Sequence, residues 1–402
     1  MTTHPRIVGS LVEGSSGFER RLRVTISRAI HFGLAGLFVA IGLAGCAGTD
    51  LTPSSHGTFT PTGSTIAAHP SHTATLLPNG RVLVIGVAMR FAGRTPAAEL
   101  YDPKTGGFSD AGTMTIARDG QTATLLSDGR LLITGGSIDS VPIALAELYD
   151  PKNGAFTPTG SMSYARLGQT ATLLSTGQVL IAGGEDPGRL GSAELYDPAT
   201  GTFSSTGSMR TARAYHTATT LSDGRVLMAG GDDSSILASA ELYDPKTGTF
   251  SPTGAMGTAR YRHTASLLPD GRVLIAGGLG DSGSLASAEL YDPKAGRFGP
   301  TASMAHGREI HTATSLPDGR VLVAGGFGGS VALASTELYD PNRGTFSEAG
   351  SMTATRDWHT ATLLADGRVL IVGGQDGSGR LPKKGYPVGS GAILTSAELY
   401  QP

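Results

Sequence analysis

Histidine, glutamine and arginine side chains recur at a fixed spacing along the chain. Residue His69 stands three positions before the first His-Thr-Ala element. The element His/Gln-Thr-Ala begins at seven positions: His72, Gln121, Gln169, His216, His263, His311 and His359. An arginine stands three residues before the last six of these: Arg118, Arg166, Arg213, Arg260, Arg308 and Arg356. If the chain brings them together, the imidazoles would suit a metal ion and the guanidiniums an anionic ligand.

A structural role for these recurring positions competes with both interpretations. Glutamine is a poor metal ligand but a fair hydrogen-bonding substitute for histidine, which favours a structural ring. An arginine that recurs in six copies is more typical of a residue that hydrogen-bonds carbonyls of its own repeat. The sequence also lacks a His-Glu-x-x-His motif, a phosphate-binding Gly-x-x-x-x-Gly-Lys loop and paired cysteines. We therefore predict no catalytic residues, no metal and no cofactor.

The recurring positions belong to a repeated unit that predicts four short strands. Successive copies begin 47 to 49 residues apart, a period typical of propellers and solenoids. In the sixth copy, residues 311–316 alternate in polarity and end at a Pro-Asp-Gly turn. Residues 320–324 are a nearly continuous apolar run that ends at two glycines, as expected of a strand buried on both faces. A third strand is predicted at 335–339 and a fourth near Phe346.

This unit resembles the kelch repeat. The shared features are the glycine pair after an apolar strand, a tyrosine about a dozen residues later, and a Met-x-x-x-Arg-x-x-His connection. An aromatic residue also begins the fourth strand, although phenylalanine stands where that family usually has tryptophan: Phe108, Phe156, Phe203, Phe250, Phe298 and Phe346. The resemblance covers about residues 57–402 and implies an all-β, seven-bladed kelch-type β-propeller of the galactose oxidase-like superfamily, with four antiparallel strands per blade.

The count of strand signals predicts how the ring closes. The fourth-strand signal also occurs once at Phe59, before the first complete unit, and the third-strand signal Glu-Leu-Tyr occurs a last time at Glu398. The chain thus enters on a fourth strand and leaves on a third. We expect residues near 57–63 to complete the last blade, so that an N-terminal strand closes the ring and leaves no open sheet edge.

The N-terminal segment predicts a cellular address. Several arginines precede an apolar run over residues 32–45, which is followed by Cys46, the one cysteine of the chain. The pattern resembles a bacterial lipoprotein signal, and a transmembrane anchor is the alternative. We predict a signal peptide at 1–45, a tether at 46–56 with Cys46 lipidated, and the propeller at 57–402. The protein would be a monomer anchored in the bacterial cell envelope, facing the periplasm or the exterior, on the outer membrane in a Gram-negative cell. A formal net charge of -2 gives no basic footprint for nucleic acid.

The residues between the recurring arginine and histidine differ in every copy, and we expect them to carry specificity. They lie on the propeller face that also holds the loop between the second and third strands. The last copy has a long loop there with four notable side chains, and the first copy carries two arginines in the same loop. The predicted ligand contacts are Trp358, Asp357, Arg356, Arg380, Lys383, Lys384, Tyr386, Arg90, Arg94, Tyr215, Tyr261, Arg262 and Glu309.

Trp358 and the basic loops indicate an anionic glycan or an acidic protein patch as the ligand, bound where the last and first blades meet. We therefore expect a binding module for an envelope or extracellular protein or a glycan. A sugar-acting enzyme similar to the kelch-type mutarotases is the alternative, and Glu309, His311 and Arg308 would be the first residues to test. The resemblance to copper-radical oxidases implies a Cys–Tyr cross-link, for which the chain has no cysteine other than Cys46.

Overall fold

The computed structural model describes residues 57–69, 71–90, 93–378 and 391–402, and these residues form a seven-bladed β-propeller. Each blade is a four-stranded antiparallel sheet. In the described part of the chain no helix is long and apolar enough to cross a membrane. The innermost strands of neighbouring blades touch in a closed cycle, from the first blade round to the seventh and back. The predicted fold class is therefore confirmed.

The strands of each blade are given from the channel outwards. Blade 1 consists of Thr73–Leu76, Val82–Arg90, Gly93–Asp102 and Gly107–Asp110. Blade 2 consists of Thr122–Leu125, Leu131–Thr134, Ala146–Asp150 and Ala155–Pro158. Blade 3 consists of Thr170–Leu173, Val179–Ala182, Ala193–Asp197 and Thr202–Ser205. Blade 4 consists of Thr217–Thr220, Val226–Ala229, Ala240–Asp244 and Thr249–Pro252.

The remaining blades follow the same plan. Blade 5 consists of Thr264–Leu267, Val273–Ala276, Ala288–Asp292 and Arg297–Pro300. Blade 6 consists of Thr312–Ser315, Val321–Ala324, Ser335–Asp340 and Thr345–Ser351. Blade 7 consists of Thr360–Leu363, Val369–Val372, Ser396–Gln401 and Thr58–Ser64. Short two-residue ladders extend three of the loops: Ser137–Ile138 with Val141–Pro142, Glu185–Asp186 with Gly188–Arg189, and Leu279–Gly280 with Gly283–Ser284.

The hydrophobic core lies between adjacent blades. The second strand is fully buried in blades 2 to 7, and in blade 1 it is buried over residues 82–88, which explains why its sequence is apolar on both faces. Between blades 1 and 2, for example, Leu83 and Ile85 pack against Leu131 and Ile133. Full burial of each such side chain stabilises the fold by about 1.5–3 kcal/mol, so that every pair of neighbouring blades adds its own share.

The N-terminal strand closes the ring as predicted. Thr58–Ser64 pairs antiparallel with Ser396–Gln401, and Phe59 lies opposite Tyr400. The ring centroids of these two residues are 4.9 Å apart, close to the Tyr–Phe spacing within the other blades. The outermost edge of the seventh blade is therefore covered by a strand from the other end of the chain.

The glycine pair at the end of the second strand in blades 2 to 7 lets the backbone of the following blade approach closely. In blade 4, Gly230 and Gly231 both have positive φ, 63° and 92°. A Cβ on Gly230 would come within 2.4 Å of the Arg260 carbonyl oxygen, and the Gly231 amide donates to that same oxygen at 3.0 Å. The pair therefore serves the contact between blades as well as the turn.

Blade 1 departs from this pattern, and one sequence prediction needs correction. It has Gly86-Val87 in place of the glycine pair, and no left-handed turn follows. Its second and third strands instead continue as one long hairpin in which Arg90 lies opposite Gly93 and Met89 opposite Arg94. The segment predicted as a loop with Arg90 and Arg94 is thus regular strand at these two residues. The reason is that blade 1 lacks the second glycine, at which the backbone of the other blades turns.

Candidate functional site

The recurring arginines are framework residues. Arg213 is fully buried, donating to the carbonyl oxygens of Gly230 at 2.7 Å and Ser239 at 2.9 Å. Its Nη2 also contacts the Glu241 carboxylate at 3.1 Å. Burial lowers the pKa of Arg213, and Glu241 partly restores it. In blade 1 the pair of His69 with Glu99, at 2.7 Å, takes the place of the arginine pair. The structural interpretation of these arginines is confirmed.

Arg356 belongs to this framework, which corrects its assignment as a ligand contact. It has no exposed surface, and its guanidinium donates to the Gly373 carbonyl oxygen at 2.8 Å. It also pairs with the Glu398 carboxylate at 2.8 Å. Its neighbour Asp357 is fully buried too, and its backbone pairs with Gln375. Both residues lie beneath the surface that a ligand would meet.

The histidine and glutamine positions link neighbouring blades. His263 Nε2 lies 3.0 Å from the hydroxyl of Thr217 in the preceding blade. Where glutamine replaces histidine, Gln169 Nε2 donates to the carbonyl oxygen of Thr134, again in the preceding blade, at 3.1 Å. Burial lowers the pKa of His263 to about 3 and that of His72 to about 4. These side chains are therefore uncharged at neutral pH and connect neighbouring blades by hydrogen bonds. Their predicted structural role is confirmed.

The second residue between each arginine and histidine adopts a left-handed backbone conformation in all seven blades. We call these residues the lip: Ser71, Gly120, Gly168, Tyr215, Arg262, Ile310 and Trp358, with φ between 52° and 68°. From blade 3 to blade 6 their backbones are hydrogen-bonded from one blade to the next. The Tyr215 amide donates to the Gly168 carbonyl oxygen at 2.8 Å, Arg262 to Tyr215 at 3.1 Å and Ile310 to Arg262 at 3.2 Å. The lip thus encircles the propeller axis.

Four consecutive blades place large side chains on the lip. A left-handed backbone is free of strain for glycine and costs other residues on the order of 1 kcal/mol, with β-branched residues such as Ile310 the least tolerant. Blades 2 and 3 use glycine there, at Gly120 and Gly168. Blade 1 has the small Ser71 in this conformation, and blades 4 to 7 have large side chains in it, at the mouth of the central channel.

Three aromatic rings surround the guanidinium of Arg262. Its Cζ lies 5.3 Å from the ring centroids of both Tyr215 and Tyr261, and 5.5 Å from that of Trp358. The Glu309 carboxylate lies 3.8 Å from its Nη1. We call Tyr215, Tyr261, Trp358 and Glu309 the cage. The Arg262 side chain is only 8% exposed. Residues from four blades, all predicted as ligand contacts, are therefore brought together.

A second polar network adjoins the cage on the side of blades 3 and 4. The Tyr215 hydroxyl donates to Glu185 at 2.7 Å, and Arg189 pairs with both Glu185 and Asp232. The sequence analysis missed Glu185, Arg189 and Asp232. A signal was present, because Glu185 and Asp232 directly follow the glycine pairs of their blades, and that position forms a bridge with the first insert residue of the same blade.

The comparisons with known proteins agree with this architecture. The Kelch motif matches residues 213–257 and 311–353. These segments contain blades 4 and 6, which contribute Tyr215 and lie next to Glu309. No curated protein matches the sequence. Among solved structures, the chain is similar to a fungal alcohol oxidase of the AA5 family in complex with copper. The TM-score is 0.71 at 22% identity, covering 87% of this chain and 77% of that one.

At this identity the likeness to the oxidase concerns the fold alone, and the donor groups that the structure describes in this propeller do not fit a copper centre. Among the residues that the structure describes, no group of three or more His, Cys, Asp or Glu side chains could hold a metal ion. The ring histidines are engaged between blades, as His311 Nε2 is with Thr264 at 2.9 Å. Cys46 lies outside the described residues.

The remaining predicted contacts cannot be placed at the mouth. Arg380, Lys383, Lys384 and Tyr386 lie outside the described residues. Arg90 and Arg94 belong to the blade 1 hairpin, which is described in its backbone only at those positions. The preference for an anionic ligand was based on these basic side chains and stays a prediction. Trp358, which is predicted to lie at the seam with blade 1, contacts Arg262 of blade 5.

Proposed function

We propose that the chain is an envelope-anchored binding module that recognises a glycan or a protein at the lip of its Kelch propeller. The observation that supports this most directly is the cage around Arg262. Tyrosine, tryptophan and arginine are the residues that most often dominate the energy of binding surfaces, because each combines a large apolar area with a polar group. Here all three types converge from separate blades on one variable face.

The backbone of the lip supports a functional role over a packing role. Glycine satisfies the same position in blades 2 and 3 without strain. Tyr215, Arg262, Ile310 and Trp358 add strain that the fold does not require, and strained residues cluster at ligand sites more often than elsewhere. The benefit of these side chains must then lie outside the framework, in what they contact at the channel mouth.

The alternative of a sugar-acting enzyme is less well supported by the residues first proposed for it. Arg308 is fully buried and donates to the Gly325 carbonyl oxygen at 2.7 Å and to Glu337 at 2.8 Å. His311 is hydrogen-bonded to Thr264 of the preceding blade. Of the proposed trio, only Glu309 belongs to the cage. The oxidase with the same fold adds no argument for a reaction, because the likeness concerns the fold alone.

The test compares two glycine substitutions on the lip. Purified full chain and its variants are applied to an array of glycans and immobilised envelope proteins. Trp358→Gly removes a cage ring, and we expect it to weaken binding by about 1–3 kcal/mol. Ser71→Gly relieves the same kind of backbone strain at a lip residue that is not part of the cage, and it serves as the matched control, with binding retained. Equal binding by both variants and the parent would refute the proposal.

The envelope address is a separate part of the proposal and rests on the signal and Cys46. More than one acyl chain is needed for stable anchoring. A diacylated Cys46 would meet that requirement and hold the propeller at the membrane. Replacing Cys46 by Ser should move the protein from the membrane fraction to the soluble fraction of fractionated cells. A Cys46→Ser protein that stays in the membrane pellet in the parental amount would contradict the anchor.

A further inference from the structure

The turn between the first and second strands of blade 1 carries an asparagine where five other blades carry an aspartate. Those five turns read Asp-Gly-Arg and begin at Asp128, Asp223, Asp270, Asp318 and Asp366, whereas blade 1 reads Asn79-Gly80-Arg81. We propose that Asn79 is a site of spontaneous deamidation, and that the aspartate formed there pairs with Arg81 as the other turn aspartates pair with their arginines. The turn lies on the propeller face opposite the lip, so this inference is independent of the function proposed above.

In the Asp-Gly-Arg turns the two carboxylate oxygens have separate tasks. Asp128 Oδ1 accepts the backbone amide of Arg130 at 3.0 Å, and Oδ2 accepts its Nε at 2.8 Å. The guanidinium held in this way reaches the next blade, where Nη2 donates to the Pro198 carbonyl oxygen at 3.2 Å. Arg368 makes the same contact with Pro103 at 3.4 Å. The aspartate thus positions an arginine across the junction between two blades.

Asn79 reproduces only half of this arrangement. Its Oδ1 accepts the Arg81 amide at 3.0 Å, but its second terminal group is an NH2, which cannot accept a hydrogen bond from a guanidinium. Arg81 pairs instead with Asp102 of its own blade at 3.3 Å, and its side chain is 48% exposed, against 34% for Arg130. A cleft of about 360 Å³ lies between Asn79 and Pro151 of blade 2. Deamidation would supply the missing acceptor at the edge of this cleft.

The neighbouring glycine supplies the nucleophile. The backbone nitrogen of Gly80 attacks Asn79 Cγ, and the new N–Cγ bond replaces the Cγ–Nδ2 bond. Nδ2 leaves as ammonia and takes the proton of the Gly80 nitrogen with it. Solvent water then opens the cyclic imide to an aspartate or an isoaspartate. Gly80 has no side chain to hinder the ring closure, and a Cβ there would meet no described atom within 4 Å apart from its chain neighbours. Asn79 itself is exposed to solvent.

Two hydrogen bonds of the turn act on this reaction in opposite directions. The Gly80 amide donates to the Leu77 carbonyl oxygen at 2.9 Å, and this bond must break before the nitrogen can attack. The Arg81 amide donates to Asn79 Oδ1, which draws electron density from Cγ and favours the attack. An exposed turn opens locally at a low cost in free energy, so the first bond delays the reaction without preventing it.

The chain contains its own comparison sites. Its three asparagines are Asn79, Asn153 and Asn342, and all three are exposed. Asn342 precedes an arginine, whose side chain hinders the ring closure, so we expect it to keep its amide. Asn153 precedes a glycine as Asn79 does, but it has Ala155 where Asn79 has Arg81, and Ala155 donates only its backbone amide to Asn153. An aspartate at 153 would therefore gain no arginine partner two residues later.

Peptide mass spectrometry of the full chain, kept at pH 6 and at pH 8, tests the chemistry. The Asn79 peptide should gain the mass difference between an amide and an acid, and it should do so faster at pH 8, because base removes the proton of the attacking nitrogen. The Asn342 peptide should stay unchanged. Asn79→Gln should prevent the conversion at this position, because a glutamine would have to close a larger ring. Synthetic peptides with aspartate or isoaspartate at 79 identify the product by their chromatographic retention.

Thermal unfolding of two product variants tests the pairing. Asn79→Asp should raise the melting temperature by up to about 2 °C, because an exposed ion pair stabilises a fold of this size only slightly. Adding Arg81→Gln should remove that gain, and the matched control Asn153→Asp should show none. The proposal is overturned by an Asn79 that keeps its amide at pH 8, by a product that is isoaspartate alone, or by an Asn79→Asp protein that melts no higher than Asn153→Asp.

Discussion

The buried histidines predict that this propeller loses stability in mild acid, because the unfolded chain takes up protons on these side chains more readily than the folded chain does. Five of the seven interblade positions carry histidine and two carry glutamine, at Gln121 and Gln169. His263 is fully buried, and its pKa is lowered from 6.5 to about 3, first by burial and then by the charge of Arg260. Replacing His263 by Gln exchanges a side chain that can take up a proton for one that cannot, and the chain itself uses glutamine at this position in two blades.

The direction of the effect follows from proton linkage. The unfolded chain binds a proton at His263 near pH 6.5, whereas the folded chain resists it down to about pH 3. The stability contributed by the neutral form is therefore complete above pH 6.5 and is lost as the pH falls towards 3. Between pH 8 and pH 5 one such histidine removes about 2 kcal/mol from the free energy of unfolding. The other ring histidines have pKa values lowered in the same direction.

Urea unfolding at pH 8, 6.5 and 5 measures this difference. The loss of unfolding free energy between pH 8 and 5 should be smaller by about 2 kcal/mol in His263→Gln than in the parent. The reverse substitution, Gln169→His, is the matched control and should enlarge the loss by a similar amount. Parallel pH dependences for all three proteins would refute the claim that these histidines stay neutral in the folded state.

Two further predictions concern the junction of the last blade. Among the described residues the buried hydroxyl of Tyr400 has no hydrogen-bond partner, whereas Thr253 lies 2.8 Å from the hydroxyl of the corresponding Tyr291. Ala349→Thr should supply the missing partner and stabilise the fold by about 1 kcal/mol in thermal unfolding. The control variant Thr253→Ala should destabilise the fold. A loss of stability in Ala349→Thr would show that the site cannot accept the threonine. Deletion of residues 57–64 should expose the edge of the last blade and lower the melting temperature, and an unchanged melting temperature would show that the closing strand contributes nothing.

The fold was predictable because each blade repeats the same local signals. The apolar second strand, the glycine pair and the Tyr–Phe pair occur at matching positions, and each has one physical reason that does not depend on distant residues. Phe59 and Glu398 even indicated which ends of the chain would share a blade. The pairing of Phe59 with Tyr400 confirms that reasoning.

The site was predictable in its members more than in its geometry. The variable inserts identified Tyr215, Tyr261, Arg262, Glu309 and Trp358, yet their mutual contacts cross from blade to blade. Sequence position says that Arg262 is two blades away from Trp358. It does not say that a long side chain on the narrow lip spans that distance. The prediction of a ligand at the seam of the last and first blades stays a prediction, because Arg380, Lys383 and Lys384 lie outside the described residues, and Trp358 itself belongs to the cage.

Comparison of the copies within this one chain nevertheless contains a sharper signal. Glycine at Gly120 and Gly168 indicates that the lip position requires a positive φ, and the seven φ values confirm it. Once that requirement is known, a tyrosine, arginine, isoleucine or tryptophan at the equivalent position is costly to the backbone. Blade 1 carries only the small Ser71 at this position, whereas blades 4 to 7 combine the same backbone conformation with large side chains. We therefore expect the functional side of the ring at blades 4 to 7, and the cage around Arg262 lies on that side.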